Sequence, residues 1–368
     1  MIPKILALYL PQYYPFQEND EWWGKGFTEW TNVGKAQPLW RGHYQPKVPA
    51  DLGYYDLRVP EVRECQAELA KEAGVTGFLY WHYWFGNGKR LMERVFQEVL
   101  ESGKPDFPFA LAWANHSWDK KDWEGGRIHD IKLMEQNYPG KDDARQHFNF
   151  LLKAFKDDRY IKVNGCPFFY IFKPDDVPST YLTWFRQWTK EAGFKDLYLV
   201  ANAWGKNSLE HYQSMGYQAV IENNMLDLLQ IKYSQMPKLK EISYRIYRRM
   251  KQAVLGMPRG AMDYREYAHR VVTEDCKNRF VIPEIFPNWD HSPRSGRAAT
   301  AIFYNEDPNS FYDMACDALN AIKDKPSEEQ IIILKSWNEW GEGNYMEPDM
   351  RYGHGYIDAL RKAVNKFK

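Results

Sequence analysis

The feature that most restricts this chain is an alternation. Short runs rich in β-branched and aromatic residues recur, each followed by a loop and then a segment of helical periodicity. The runs fall at 5–10, 77–83, 109–113, 168–172, 197–202, 219–221, 280–285 and 331–336, which makes eight predicted strands. Helical candidates lie between or after them at 60–73, 91–102, 143–156, 181–192, 310–322 and 356–367. Strands separated by helices pair in parallel through right-handed crossovers. Eight such units in 368 residues predict a closed (β/α)₈ barrel. An open doubly wound sheet is the alternative, but no Gly-x-Gly-x-x-Gly turn follows the first strand.

Two segments interrupt the repeat: an aromatic-rich excursion over 11–55 after strand one, and a helical insertion over 226–270 after strand six. Residues 232–270 carry 10 basic and 3 acidic residues, read either as a solvated helix face or as a weak contact with an anionic surface. With no repeat of longer motif, no low-complexity tract and no Gly/Ser linker, the expectation is one catalytic domain over 1–368.

Charge narrows the partners. With 49 basic and 49 acidic residues there is no global field to attract nucleic acid. The four cysteines form no CxxC pair, against a zinc site or disulfide scaffold, and no metal or cofactor is expected. The early apolar run 5–10 is too short for a spanning helix and lacks the other parts of a signal peptide. The expected location is therefore cytoplasmic, with no transmembrane segment. Aromatic content of 16%, with 15 Trp and 25 Tyr, suits a carbohydrate partner, because the C–H faces of sugars stack on aromatic rings.

In such barrels the active site lies at the C-terminal ends of the strands. Polar and aromatic groups collect there: Tyr9, Glu29 and Trp30; His82; Trp113, Asn115 and His116; Trp204; Glu222; Asp290; and Trp337, Asn338, Glu339, Trp340 and Glu342. We take Glu339 and Glu342 as the catalytic pair and the others as substrate-binding candidates. Residues three apart on a turn have Cβ atoms about 5–6 Å apart, so the two carboxyls should split their pKa values into an acid and a base. A close pair also goes with retention of anomeric configuration. Glu222 and Glu284 are rival carboxylates, each standing alone in sequence. His82, His116 and His291 lack metal-ligand spacing.

These residues also carry a resemblance. The run Glu339-Trp340-Gly341-Glu342-Gly343 is similar to the Glu-Trp-x-Glu-Gly signature of glycoside hydrolase family 99, the endo-α-mannosidases and endomannanases. Tyr9-Leu10-Pro11-Gln12-Tyr13 resembles that family's first-strand Tyr-x-Pro-Trp-Tyr, with Gln12 in place of Trp. The run from Trp23 to Trp30, with Trp337-Asn338-Glu339-Trp340, resembles the WbsX-type proteins associated with lipopolysaccharide and O-antigen biosynthesis, which are described as glycosyltransferases. The resemblance implies a (β/α)₈ fold and metal-independent retaining chemistry in which the sugar 2-hydroxyl attacks C1. Carried over, Glu339 would be the base that deprotonates that hydroxyl and Glu342 the acid that protonates the leaving oxygen. Tyr9 would lie in the sugar subsite, and the substrate would be an α-mannoside or α-rhamnoside. Gly341 departs from the polar residue usual at that position.

Three functions compete. A glycoside hydrolase is the first expectation. A glycosyltransferase of lipopolysaccharide or O-antigen biosynthesis is the alternative, weakened because one main transferase class needs an Asp-x-Asp, which the chain lacks, and the other needs two dinucleotide-type domains where one barrel is expected. A non-catalytic glycan-binding module is disfavoured by two intact glutamates.

Overall fold

The computed structural model describes residues 3–124, 127–203, 209–225 and 227–367. Eight parallel strands close on themselves: β1 (Lys4–Tyr9), β2 (Gly77–Trp84), β3 (Phe109–Trp113), β4 (Cys166–Ile171), β5 (Tyr198–Ala203), β6 (Ala219–Glu222), β7 (Val281–Ile285) and β8 (Ile331–Leu334). Each pairs with its sequence neighbours, and β1 also pairs with β8, Lys4 opposite Ile331 and Ala7 opposite Leu334. The barrel predicted from the alternation is therefore present. β8 shows why the reading works: Ile-Ile-Ile-Leu is buried throughout, as a strand covered on both faces must be.

Around the strands lie α1 (Pro60–Ala73), α2 (Glu93–Ser102), α3 (Lys141–Phe155), α4 (Ser179–Glu191), α5 (Leu209–Ser214), α6 (Lys238–Leu255), α7 (Pro308–Ile322) and α8 (Gly355–Phe367). Their limits follow from local chemistry. α1 begins with Pro60, whose missing N–H costs nothing at a first turn, and stops at Gly74, where φ is +89°. The Asp307 carboxylate caps α7 by accepting from the backbone N–H of Asn309 and Ser310.

The excursion after β1 contains two short helices, Gln17–Trp23 and Glu29–Lys35. The insertion after β6 contains Leu228–Ser234 and α6. An antiparallel hairpin, Trp118–Glu124 against Arg127–Met134, follows β3 where sequence patterning indicates only a loop.

Candidate active site

The chain after β8 makes a sharp turn that presents the two glutamates together. Asn338–Glu339 pairs antiparallel with Asn344–Tyr345, and between them Trp340–Glu342 forms one 3₁₀ turn ending at Gly343, φ +54°. Glu339 ends the strand that enters this turn and Glu342 closes the turn, and both carboxyls reach one guanidinium. Three neighbours fix the turn. The Asn338 side chain bonds both the N–H and the C=O of Leu10, at 2.7 and 2.9 Å. The Tyr13 hydroxyl donates to the Asn338 carbonyl and accepts from the Trp340 N–H. Trp340 stacks on Tyr345 at 3.6 Å, and its indole N–H donates to Glu347 at 2.6 Å.

One arginine joins the carboxylates. Arg294, on the short helix Ser292–Ser295 after β7, donates from Nε to Glu29 at 3.1 Å and from Nη2 to Glu339 at 2.7 Å. Its Nη1 donates to Glu342. Two carboxyls held by the two terminal nitrogens of a single guanidinium must lie close together. Glu29 gets there because position 341 has no side chain: a Cβ at Gly341 would collide with the Glu29 carboxylate.

The carboxyls titrate apart. Burial pushes Glu339 up to about 8, reinforced by Glu342 and Glu29 and opposed by Arg294. Burial also acts on Glu342, but Arg294, His291 and Lys335 outweigh it and hold Glu342 below the usual carboxylate range. Burial thus favours the proton on Glu339, and Arg294 favours the charge on Glu342. The split is the one the spacing predicts. Its direction is opposite to the roles implied by the family 99 resemblance.

Glu29, Arg294, Glu339 and Glu342 line a cleft of about 660 Å³, within the usual range for ligand sites. Aromatic rings form its walls: Trp81 and Tyr83 from β2, Trp118 from the hairpin, Phe172 after β4, and Trp23 and Phe27 from the excursion. His116 also faces the cleft. Burial depresses its pKa to about 4, so the ring is neutral, and its buried Nδ1 has no hydrogen-bond partner among the described residues.

Of the expected site residues, the structure brings Glu29, His116, Glu339 and Glu342 to the cleft and places most of the rest behind its walls. Tyr9 points outward and donates to Gln66 of α1. Trp30 donates to the Tyr55 carbonyl, and Trp340 packs on Trp30. His82 bonds His147 of α3 at 2.8 Å, outside the barrel. The Trp113 indole N–H donates to the Trp84 carbonyl, and Asn115 ties together Tyr138 and the backbone of Lys173. Glu222 accepts from Thr273 and Cys276, away from the cleft. Asp290 does not line the cleft: it accepts from His43, Gln45 and the Ser292 N–H. Trp337 is buried against Phe78, and Asn338 braces Leu10. Trp204 lies outside the described residues.

The cause is strand parity. Successive side chains alternate between the two faces of a strand, so Trp81 and Tyr83 face the cleft while His82 and Trp84 face α3. In a parallel barrel both faces are buried, and apolar patterning does not reveal which parity is inward. The expected site set left out Trp81, Tyr83, Trp118, Lys335 and Arg294, although the Trp113–Trp118 run, in its polar surroundings, does read as cleft lining. Period-two spacing from Trp81 to Tyr83, and from Ala114 to His116, is the signal that groups inward residues.

Fold and site together define a (β/α)₈ barrel with a carboxylate floor and an aromatic-walled cleft. The chain belongs to the family described as "Glycosyltransferase WbsX", whose model matches residues 5–360. It is 32% identical over 98% of its length to the WxcX proteins, described as uncharacterized, of two strains of Xanthomonas campestris pv. campestris. The chain spans about half the length of these curated relatives, 50% of each. Among solved structures it is similar to a GH99 endo-alpha-mannosidase from Bacteroides thetaiotaomicron, with TM-score 0.60 and 12% identity, covering 99% of this chain and 97% of that one. A protein described as glycoside hydrolase-like matches with TM-score 0.57 and 15% identity, covering 99% and 94%. At such identities the likeness establishes the barrel fold.

Proposed function

We propose that this chain is a retaining glycosidase, acting as one catalytic domain on an α-mannoside- or α-rhamnoside-like linkage in a bacterial polysaccharide or oligosaccharide. One observation carries the reading: Glu339 and Glu342 leave one turn side by side at the floor of an aromatic-walled cleft, with their protonation states already split. Their closeness suits retention, for which carboxyls stand about 5–5.5 Å apart, better than inversion at about 6.5–9.5 Å. In the proposed reaction the substrate's 2-hydroxyl is the nucleophile, one glutamate removes its proton, and the other protonates the leaving oxygen. Water then opens the 1,2-anhydro sugar with the roles reversed. Trp81, Tyr83 and Trp118 supply stacking faces, and the neutral His116 ring lies beside them in the cleft wall.

The resemblance gives the base role to Glu339. The charge environment of the two carboxyls favours the reverse, with Glu342 as base and Glu339 as acid.

The test is product analysis of purified protein with α-mannan, α-rhamnan and O-antigen oligosaccharides, in the absence of any activated sugar donor. New reducing ends of retained configuration, lost in Glu342→Gln, support the glycosidase. Transfer that appears only with an activated donor would replace it with a glycosyltransferase, the activity in the family's description.

A further inference from the structure

Helix α6 is amphipathic in the reverse sense for a helix on a folded domain. The side it turns to the body is polar. Glu241 and Gln252 are buried, Tyr244 donates to Glu266, and Arg248 and Gln252 donate to the carbonyls of Arg259 and Ala261. The side it turns to solvent is apolar. Leu239, Ile242, Ile246, Met250 and Val254 stand three or four residues apart and so share one stripe, with Leu239 and Val254 more than four-fifths exposed. Apolar faces of surface helices ordinarily turn to the core, and an exposed stripe marks an interaction surface.

Charge selects the occupant. The helix carries six basic residues and one acidic residue. At 100° per residue, Lys238, Arg245 and Arg249 run along one margin of the stripe and Lys240 along the other. Glu241, the single acid, is turned inward and paired with Lys238 and Arg245. Two copies meeting through this face would set cations against cations with no exposed carboxylate of α6 between them. A bilayer bearing anionic headgroups fits both parts: acyl chains take the stripe, and the exposed Lys240 and Arg249, one on each margin, reach outward to the phosphates.

We propose that α6 is an interfacial helix that seats this protein on an anionic membrane surface. It spans 18 residues, about 27 Å, enough to lie flat with its stripe in the headgroup region. The proposed contact is peripheral, since α6 lies flat, and no helix among the described residues is long and apolar enough to cross a membrane. The helix is also coupled to the cleft rim. Arg297, three residues beyond Arg294, donates to the carbonyl of Gly256 at the end of α6 and to that of Leu39 in the excursion after β1. A protein seated by α6 therefore holds the loop carrying Arg294 in a fixed relation to the bilayer. The inference stands on surface chemistry and is independent of the reaction proposed above.

The experiment is flotation of the full chain with vesicles of phosphatidylcholine alone and of phosphatidylcholine mixed with phosphatidylglycerol. Ile246→Asp and, separately, Lys240→Glu/Arg249→Glu are compared at matched thermal stability; all three positions are exposed, so the fold should persist. The expected result is binding to the mixed vesicles only, weakened by salt, with the partition coefficient at least about tenfold lower in each variant. Absence of binding by the wild-type chain overturns the proposal. So does binding that is equal in all variants. A wild-type dimer that Ile246→Asp disperses, without vesicle binding, assigns the face to a second copy and equally overturns it.

Discussion

The carboxylate of Glu29 occupies the space that a side chain at position 341 would need. The glycine in Glu339-Trp340-Gly341-Glu342 is thus matched by a residue more than three hundred positions earlier, and through it Arg294 gains a third anchor. Gly341→Ala should displace Glu29 and loosen Arg294. Overpacking of this kind costs about 1–3 kcal/mol, so a lower melting temperature is expected, together with a fall in kcat/KM. Glu29→Gln keeps the shape and removes the charge, and should lower kcat/KM with little change in melting temperature. Unaltered kinetics in both variants would show that Arg294 needs no third anchor.

Exchange of either catalytic candidate should be severe. Glu339→Gln and Glu342→Gln should each reduce turnover of natural glycosides by about 10²–10⁴-fold. Aryl glycosides with acidic leaving groups separate the roles, because they need no general acid. If the resting charges set the roles, Glu339→Gln recovers activity on these substrates and Glu342→Gln does not. The opposite pattern restores the assignment implied by the resemblance.

The pH profile follows from the same charges. A proton donor at Glu339 is lost as pH rises through about 8, and an ionised base at Glu342 is lost only on acidification below the ordinary carboxylate range. The profile of kcat/KM should therefore be a bell with its alkaline limb near pH 8. Activity that instead climbs through that pH would make Glu339 the base. Arg294 lowers both groups, so Arg294→Ala should shift both limbs upward.

Stability carries a related signature. Glu339 binds its proton more tightly when folded, at about 8, than when unfolded, near 4.5. The native state therefore holds the extra proton between these values, and stability declines as pH rises through that window. Glu339→Gln removes this decline, so its melting temperature should exceed that of the wild type above about pH 8. Thermal melts across pH check it: parallel curves for the two proteins would show that Glu339 is not perturbed.

Wall and frame should separate cleanly. Trp81→Ala removes a stacking face and should raise KM about tenfold, given ring contacts worth about 0.5–1.5 kcal/mol beyond buried area. Glu222→Gln disturbs bonds to Thr273 and Cys276 and should lower melting temperature while leaving kcat/KM intact. A kinetic defect in Glu222→Gln would bring that residue back into the site.

The barrel was legible because eight apolar runs and their intervening helices leave few other closed arrangements. Glu339 and Glu342 were legible because spacing along a single turn needs no tertiary information. The walls were not. Which of Trp81 and His82 faces inward depends on strand tilt and closure, and no local pattern encodes it. Arg294 was hidden for another reason. Near Asp290 it invites reading as that residue's salt-bridge partner, whereas Asp290 is held by His43, Gln45 and Ser292. The hairpin bearing Trp118 escaped because its strands are polar.

The seam between β1 and β8 has a consequence for synthesis. Leu10, near the beginning, is held by Asn338, and the floor of the cleft needs residues 29, 294, 339 and 342 at once. A nascent chain emerging from the ribosome can form strands and helices in order. It cannot close the ring or assemble the carboxylates until the last strand and the turn beyond it have left the tunnel. The floor of the cleft would then form all at once, rather than growing with length.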